Sequence, residues 1–466
     1  MEAHEISLTP KFTPPLDPDF RPAALFNHAY RDEIERSRKS TALVIGLDRG
    51  DDTCSRYETA VFTADHPWSA FNNFYIERIV KFLLWQRGGY KVTIGGPAEI
   101  GEHIRQVYAP GGARQFDYHF MGEQVYECPF EVVICTPGEV PPARERAKAL
   151  GRHLDGCRIG FDLGASDRKV SAVIDGEVVY SEEVIWQPRI QSDPAYHYRE
   201  VMKSLETAAT KMPRVDCIGG SSAGIYINNR PMVASLYRGI PQERFGEIKN
   251  LFLRIRDELG VPLEVINDGD VTALAGSMSL DDNGILGIAM GSSEATGYVD
   301  LDGKIMGWLN ELAFAPVDYS PTAPLEEWSG DRGCGALYFS QQCVFRLAPK
   351  VGIEIPAGIT DAEKLKFVQE KLEAGHTGAR QIWESMGIFL GYTLAHYADF
   401  YEIRHVLILG RCTSGRGGDL LLEGASNVLQ AEFPELAARI HVQLPDEKSR
   451  RVGQSIAAAS LPAIQS

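Results

Sequence analysis

The sequence predicts a mixed α/β protein of two or three domains. The chain has 466 residues, enough for more than one hydrophobic core. Short apolar runs alternate repeatedly with longer segments of helical periodicity, the pattern of strands layered with helices. A Pro-rich break, Thr136-Pro-Gly-Glu-Val-Pro-Pro142, reads as a linker between an N-terminal part and the rest. With 44% hydrophobic and 24% charged residues, the composition is that of an ordinary globular protein.

The first 40 residues begin Pro-rich and become charged, which predicts an extended arm and a short helix. Ala42–Leu47 and Tyr57–Phe62 read as strands joined by the polar turn Asp48–Ser55. Asn73–Gln86 places Ile76, Ile79, Val80, Leu83 and Leu84 on one helical face, and Gly88-Gly89 ends it. Tyr90–Ile94 is a strand, Ile100–Tyr108 a helix, and Phe116–Cys135 two or three strands. After the linker, Ala143–Leu154 reads as a charged helix, and the domain boundary falls near residue 155.

The second part opens on Arg158–Ile174, an apolar strand ending in Asp162, a tip at Gly164-Ala165-Ser166, and the returning alternation Val170, Ala172, Ile174. Glu177–Trp186 adds a third strand. Tyr198–Lys211 and Phe245–Leu259 are helices, separated by the strand Val215–Gly220 and a small-residue turn, Ser221–Gly224. Pro262–Ile266 is a strand and Asp270–Met278 a helix. Ile285–Met290 is a buried strand running into Gly291-Ser292-Ser293, and the strands Thr296–Asp300 and Lys304–Met306 frame the turn Asp302-Gly303. Ala362–Gly375, Ala379–Tyr401 and Asp419–Gln430 are helices, Val406–Leu409 and Ile440–Leu444 strands, and Val452–Ser460 a closing small-residue helix.

Charge excludes some functions. Net charge is −16, with −4 on residues 1–150 and −12 on the remainder, so neither part carries the basic field that a nucleic-acid backbone needs. The eight Cys are scattered without a CxxC pair, as expected of reduced cytoplasmic thiols rather than disulfides or a zinc cage. Met1–Pro10 has no basic end followed by an apolar stretch, so no signal peptide is expected. The apolar runs fall short of the ~20 residues of a membrane span.

The chemistry sits in a few turns. A hairpin tip of Gly164, Ala165 and Ser166 can bring backbone N–H groups to a phosphate, and Asp162 before it can hold a hydrated Mg²⁺. Asp268 follows Asn267 where a strand passes into a helix, the position where ligands bind in open α/β sheets. Gly291-Ser292-Ser293 is a second phosphate cradle. Gly410 and Gly415 flank a turn with room for a flat ring such as adenine. Two cradles, an acid and a base-binding turn suit phosphoryl transfer from a nucleotide to a hydroxyl. Plainer roles exist for each residue: Asp268 as a helix cap, Asp162 as a brace for its hairpin, Glu311 as a solvated turn residue.

In this order the stretches resemble the ROK family of bacterial sugar kinases and sugar-responsive regulators, within the actin/hexokinase-like (ribonuclease H-like) ATPase superfamily. The resemblance covers residues 155–466 and rests on Ile159–Ser166, Leu259–Ala275, Ile288–Gly297 with Asp302-Gly303-Lys304, and Ala379–Tyr401 with Val406–Gly410. It implies a two-lobed α/β ATPase fold, with lobe 1 about 155–268 plus the C-terminal helix 450–466, lobe 2 about 269–449, and residues 1–154 as an additional α/β domain of unassigned role. It implies a cytoplasmic homo-oligomer using ATP and Mg²⁺ to phosphorylate a sugar, with no membrane or nucleic-acid partner. Asp268 would be the catalytic base, Asn267 and Glu311 sugar ligands, and Gly410 part of the adenosine turn. Gly164, Ala165, Ser166, Gly291, Ser292 and Ser293 would hold phosphates, with Asp162 on Mg²⁺ through water.

Departures cluster at the sugar end. Phe314 stands where the family's sugar motif has His, and Ser329–Ala336 keeps only Cys334 of the zinc motif and lacks its final Glu, so no zinc site is expected. The family's sugar-loop Asn-Leu is replaced near Leu236-Tyr237-Arg238. A site that reads hydroxyls by hydrogen bonds cannot lose several and keep its substrate. Arg238, Trp308, Phe314 and Trp328 are candidate replacements, an Arg suiting an anionic sugar. The alternative reading is a non-catalytic sugar or nucleotide sensor whose N-terminal part is an output or oligomerisation module. An actin-type ATPase is a third reading.

Overall fold

The strand Cys157–Leu163, first arm of the predicted hairpin, is the middle of a five-stranded sheet. The order is Leu263–Asn267, Cys217–Ser222, Cys157–Leu163, Asp167–Ile174, Glu177–Ile185. The first three strands are parallel and the last two return antiparallel. One layer of core joins Ile159, Phe161 and Ile218 to Val201 and Leu205 of the helix Pro194–Ala209 and to Phe252 of the helix Leu251–Leu259. The closing helix Gly453–Ala459 also packs on this sheet. A Cβ on Gly219 would stand 1.6 Å from the Ala458 carbonyl oxygen, so only glycine admits the helix there.

This computed structural model describes residues 6, 8–145, 147, 150–445 and 453–464. The chain forms two compact units. The first comprises Met1–Arg146, Ile288–Thr296 and Gly307–Leu444, the second Ala147–Gly287, Gly297–Met306 and Pro445–Ser466. Among the described residues no helix is long and apolar enough to cross a membrane.

In the first unit, Thr53–Phe62, Ser40–Gly50, Lys91–Gly95 and Glu131–Cys135 form a sheet in that order, its last pair parallel. The helix Asn72–Arg87 is buried on nearly every face, against the sequence pattern of a single apolar face. Its Phe82 stacks on Phe400, with ring centroids 4.0 Å apart. Outside that sheet, the chain forms another in the order Glu294–Val299, Ile285–Met290, His405–Leu409, His441–Gln443, of which residues 288–296, 405–409 and 441–443 belong to the first unit. The described residues of the N-terminal arm are not extended throughout but make two turns, closed by Asp17 N–H to Pro14 O (3.2 Å) and Phe20 N–H to Asp17 O (3.1 Å), before the helix Ala23–Ser37. The arm lies along the helix Thr377–Tyr397, where the Phe12 and Leu16 N–H groups donate to the Tyr392 hydroxyl (3.2 Å) and the Ser385 hydroxyl (3.2 Å).

Several expectations need correction. Residues 1–154 are not a separate domain, because the N-terminal residues share a hydrophobic and ionic core with 307–444. The proposed lobe break after residue 268 is displaced, since the helix Asp268–Leu280 packs on Gly453–Ala459 and stays in the second unit. The linker Thr136–Pro142 is anchored: Thr136 and Glu139 cap each other, and Val140 is buried against Gly95. Phe116–Cys135 holds one strand, preceded by helical turns at Gln115–His119 and Phe120–Val125. No helix occurs among the described residues of 143–154, and positions 146, 148 and 149 lie outside them, as does Val452 of the closing helix. Phe245–Leu259 breaks into two helices at Asn250, and Lys304–Met306 gives a single bridge, Val299 with Ile305. The short strands Ile225–Ile227 and Arg230–Val233 and the helix Gln341–Leu347 were not read from sequence.

Candidate active site

In the second unit, two acids stand at the C-terminal ends of parallel strands. Asp162 is on Cys157–Leu163, and Asp268 opens the helix Asp268–Leu280 immediately after Leu263–Asn267. The cap of that helix is Asn267, whose Oδ1 accepts from Gly269 N–H (2.7 Å) while its Nδ2 donates to the Gly224 carbonyl (2.8 Å). Asn267 therefore takes the N-cap role otherwise open to Asp268, whose Oδ1 accepts only a flanking bond from Gly269 N–H (3.0 Å). Burial and then the nearby Asp162 charge push the Asp268 carboxyl up to about 6. Asp162 is also raised by burial, although it accepts the Ser221 hydroxyl at 2.7 Å. Two carboxylates in mutual repulsion, one of them poised near neutrality, suit a general base beside a hydrated divalent cation.

The hairpin tip lies in the same unit. Gly164 N–H donates to the Asp167 carbonyl (2.9 Å), and Trp186 ties the tip down: its N–H donates to Ser166 O (3.1 Å) and its indole to Gly164 O (2.9 Å). Gly164 does not adopt a left-handed conformation. Its carbonyl and that of Ser166 face Trp186; Ala165 is half-buried against the core and Ser166 is exposed.

The first unit brings the turns Gly291–Ser293 and Gly410–Gly415 together. Gly291 N–H donates to Ser293 O (3.0 Å), and Ser292 and Ser293 are exposed. Gln341 N–H holds Gly291 O (2.9 Å). Gly410 has φ +96, and a Cβ there would lie 2.5 Å from the Met290 carbonyl oxygen, one residue before the cradle. Both its conformation and this contact demand glycine. Gly410→Ala is expected to cost roughly 1–3 kcal/mol of stability, read as a lowered Tm, with Gly291→Ala, which meets nothing nearer than 3.8 Å, as the mild control.

Glu311 is partly buried, with its N–H donating to Trp85 O (2.9 Å). Phe314 packs in an aromatic cluster with Trp85 at 4.4 Å, Phe116 at 5.6 Å and Phe120 at 6.4 Å. Of the other candidate replacements, Trp308 donates to Glu145 (3.1 Å) while Arg238 and Trp328 are exposed. Cys334 is fully buried, its thiol pushed up to about 12 by burial. Among the described residues no group of three His, Cys, Asp or Glu side chains is placed to hold a metal ion.

Sequence reasoning assigned nothing to Ser221 as a partner of Asp162, or to Glu294. The Ser221-Ser222 pair is the end of a strand rather than a turn, which aims Ser221 at Asp162 in register. Glu294 is buried, accepts from Tyr397 (3.0 Å), and is pushed up to about 8 by burial, so it is largely neutral at pH 7. A Glu after a polar turn gives no sequence sign of burial.

No protein-family model matches the chain, and no curated protein matches it in sequence. Solved structures match it in fold. The ROK hexokinase from Thermus thermophilus aligns with a TM-score of 0.51 at 15% identity, over 65% of this chain and 97% of that one. A ROK family transcriptional regulator, homologous to the E. coli MLC protein, aligns with a TM-score of 0.52 at 18% identity, over 66% and 78%. About two thirds of the chain thus has the fold of ROK proteins, the α/β hexokinase-like ATPase fold implied by the sequence motifs.

Proposed function

We propose that this chain, two thirds of which carries the ROK fold, is an ATP-dependent carbohydrate kinase. The observation that carries the proposal is Asp268: a carboxylate at a strand end, relieved of the cap role by Asn267 and pushed up to about 6 beside Asp162. Asp268 accepts the proton of a sugar hydroxyl as that oxygen attacks the γ-phosphorus. Asn267, whose amide is engaged by Gly269 and Gly224, orients the acid and presents its remaining N–H to the sugar. Each taken within its own unit, the Gly164–Ser166 tip of the second is read as a phosphate-binding turn, and Gly291–Ser293 and Gly410–Gly415 of the first as a phosphate cradle and an adenosine turn. Asp162 would hold Mg²⁺ through water, and the cation when bound supplies charge neutralisation for the phosphates. Phosphoryl transfer asks mainly for alignment and charge stabilisation, with the base adding its share.

The fold likeness to a transcriptional regulator and the Phe314 cluster favour one rival, a non-catalytic sensor. An ADP-release screen of the purified protein over neutral, amino, acidic and phosphorylated sugars, with ATP and Mg²⁺, decides between them. A kinase releases ADP with at least one sugar. A protein that binds a sugar in calorimetry but consumes ATP with none is the sensor.

A further inference from the structure

Among the described residues, several arginines of this acidic chain make no ion pair with a carboxylate, Arg87, Arg152 and Arg332 among them, and two others of this kind lie on adjacent turns. Arg189 lies in the helical turn Pro188–Ile190 and Arg238 just after the turn Ser235–Tyr237, both in the second unit. The turns touch: a Cβ on Gly239 would stand 2.8 Å from the Arg189 carbonyl oxygen. Among the described residues neither guanidinium forms an ion pair. Arg189 Nη2 makes only a long hydrogen bond to the Ser235 hydroxyl (3.5 Å), and its Nε is buried without a partner. Burial and then the Arg238 charge lower the proton affinity of Arg189, so the two cations repel each other. In a chain of net charge −16, paired cations left without an acid cost free energy that a bound anion would recover.

Backbone contacts link this pair to both parts of the proposed site in its own unit. The residue three before Arg189 is Trp186, which holds the Gly164–Ser166 tip by two hydrogen bonds. On the other side, Ala234 beside Ser235 packs on Gly224: a Cβ on Gly224 would meet the Ala234 Cβ at 2.5 Å. Gly224 in turn accepts from Asn267, the neighbour of Asp268.

We propose that Arg189 and Arg238 form a clamp for an anionic group, a phosphate or carboxylate, on the acceptor sugar. This rests on the kinase reading for the role of the sugar but not for its binding. The sugar is held by its charge at the arginines and presents a hydroxyl to Asp268.

Calorimetry of the full chain without ATP, using glucose 6-phosphate, glucuronate and glucose, tests the clamp. The wild type is expected to bind one anionic sugar at least about tenfold more tightly than glucose. Arg189→Gln and Arg238→Gln should each weaken that sugar on the order of ten- to a hundredfold while leaving glucose binding unchanged and Tm no lower than the wild type's, since each removes one of two repelling cations. The phosphate and carboxylate arms identify the anion. A wild type with no preference for either anionic sugar, including one that binds none of the three, overturns the clamp, as do variants that keep the preference. The same proteins are then assayed for ADP. Charge-dependent binding with no ATP consumed removes the kinase reading and leaves the clamp, whereas turnover of glucose unaffected by both variants does the reverse.

Discussion

Asp268→Asn is expected to abolish sugar-dependent ADP formation and to leave a protein more stable than the wild type at neutral pH. Loss of a general base costs ~10²–10⁴-fold in rate. The stability gain follows from the raised carboxyl. Its value is about 6 in the folded chain against 3.8 for a free side chain, so the folded state keeps a proton that the unfolded state has released between those values. Stability contributed by this group is greatest below pH 3.8, falls as pH rises through the window, and is flat above about 6. Removing the charge recovers the loss, on the order of 1–2 kcal/mol after allowing for partial solvent access. Asparagine keeps the oxygen that accepts from Gly269 N–H, so the helix start is preserved. Unchanged ADP release by the variant would sink the assignment of the base, and a lower Tm at pH 7.5 would sink the account of its strain.

The same carboxyl sets the pH profile. The base must be deprotonated, so kcat/KM should rise with pH through about 6 with unit slope and then level off. Asp162→Asn removes the second cause of the shift but not burial, the larger one, and should move the inflection part of the way toward 3.8. An inflection unmoved by that substitution would mean that the two acids do not interact.

How much of this could be read from the sequence differs between the two ends of the site. Asn267-Asp268 was legible because a strand, a polar pair and a helix follow one another, and such local order fixes where side chains point. The second hairpin strand and the Gly410 turn were legible for the same reason. The partition of the chain was not. Lys81 reads as one polar residue on an amphipathic helix, yet it is buried because Asp117 and Asp331, distant in sequence, receive it. A charge in a helix pattern signals solvent unless its partners are known. Phe116 and Phe120 looked like strand residues for a similar reason, since their aromatic partners Trp85 and Phe314 come from elsewhere. Propensity gave way there to tertiary packing.

That network carries the largest expected effect on stability. Asp331 meets Arg78 at 3.0 Å, Lys81 at 3.5 Å and Arg114 at 2.6 Å. Glu77 takes the other edges of Arg78 and Arg114, and Asp117 holds Lys81 at 2.9 Å and the Trp85 indole at 3.1 Å. Lys81 and Asp117 are each only 1% exposed. Within this set three cations face three acids, and Asp331 is the acid that touches all three cations. It lies in Ser329–Ala336, and its ion pairs to Arg78, Lys81 and Arg114 fasten that stretch to the N-terminal part of the first unit. Asp331→Ala leaves an uncompensated positive charge buried in the first unit, which should cost about 3–5 kcal/mol and lower Tm by on the order of 10 °C. Asp331→Asn keeps the oxygen that accepts from Arg332 N–H (2.8 Å) and should lose nearly as much, because charge rather than shape is removed. Burial raises the Asp331 carboxyl, but the three cations outweigh it and hold it well below its ordinary value. Its contribution is therefore complete above pH 3.8 and lost as pH falls below that. Acid unfolding should begin at higher pH in the wild type than in a chain whose network is replaced by apolar residues. An Asp331→Asn protein with wild-type Tm would show that the network does not hold the unit together. The inactive Asp268→Asn protein provides the contrast: it loses turnover and gains stability, whereas Asp331→Asn loses stability at a residue assigned no part in the transfer.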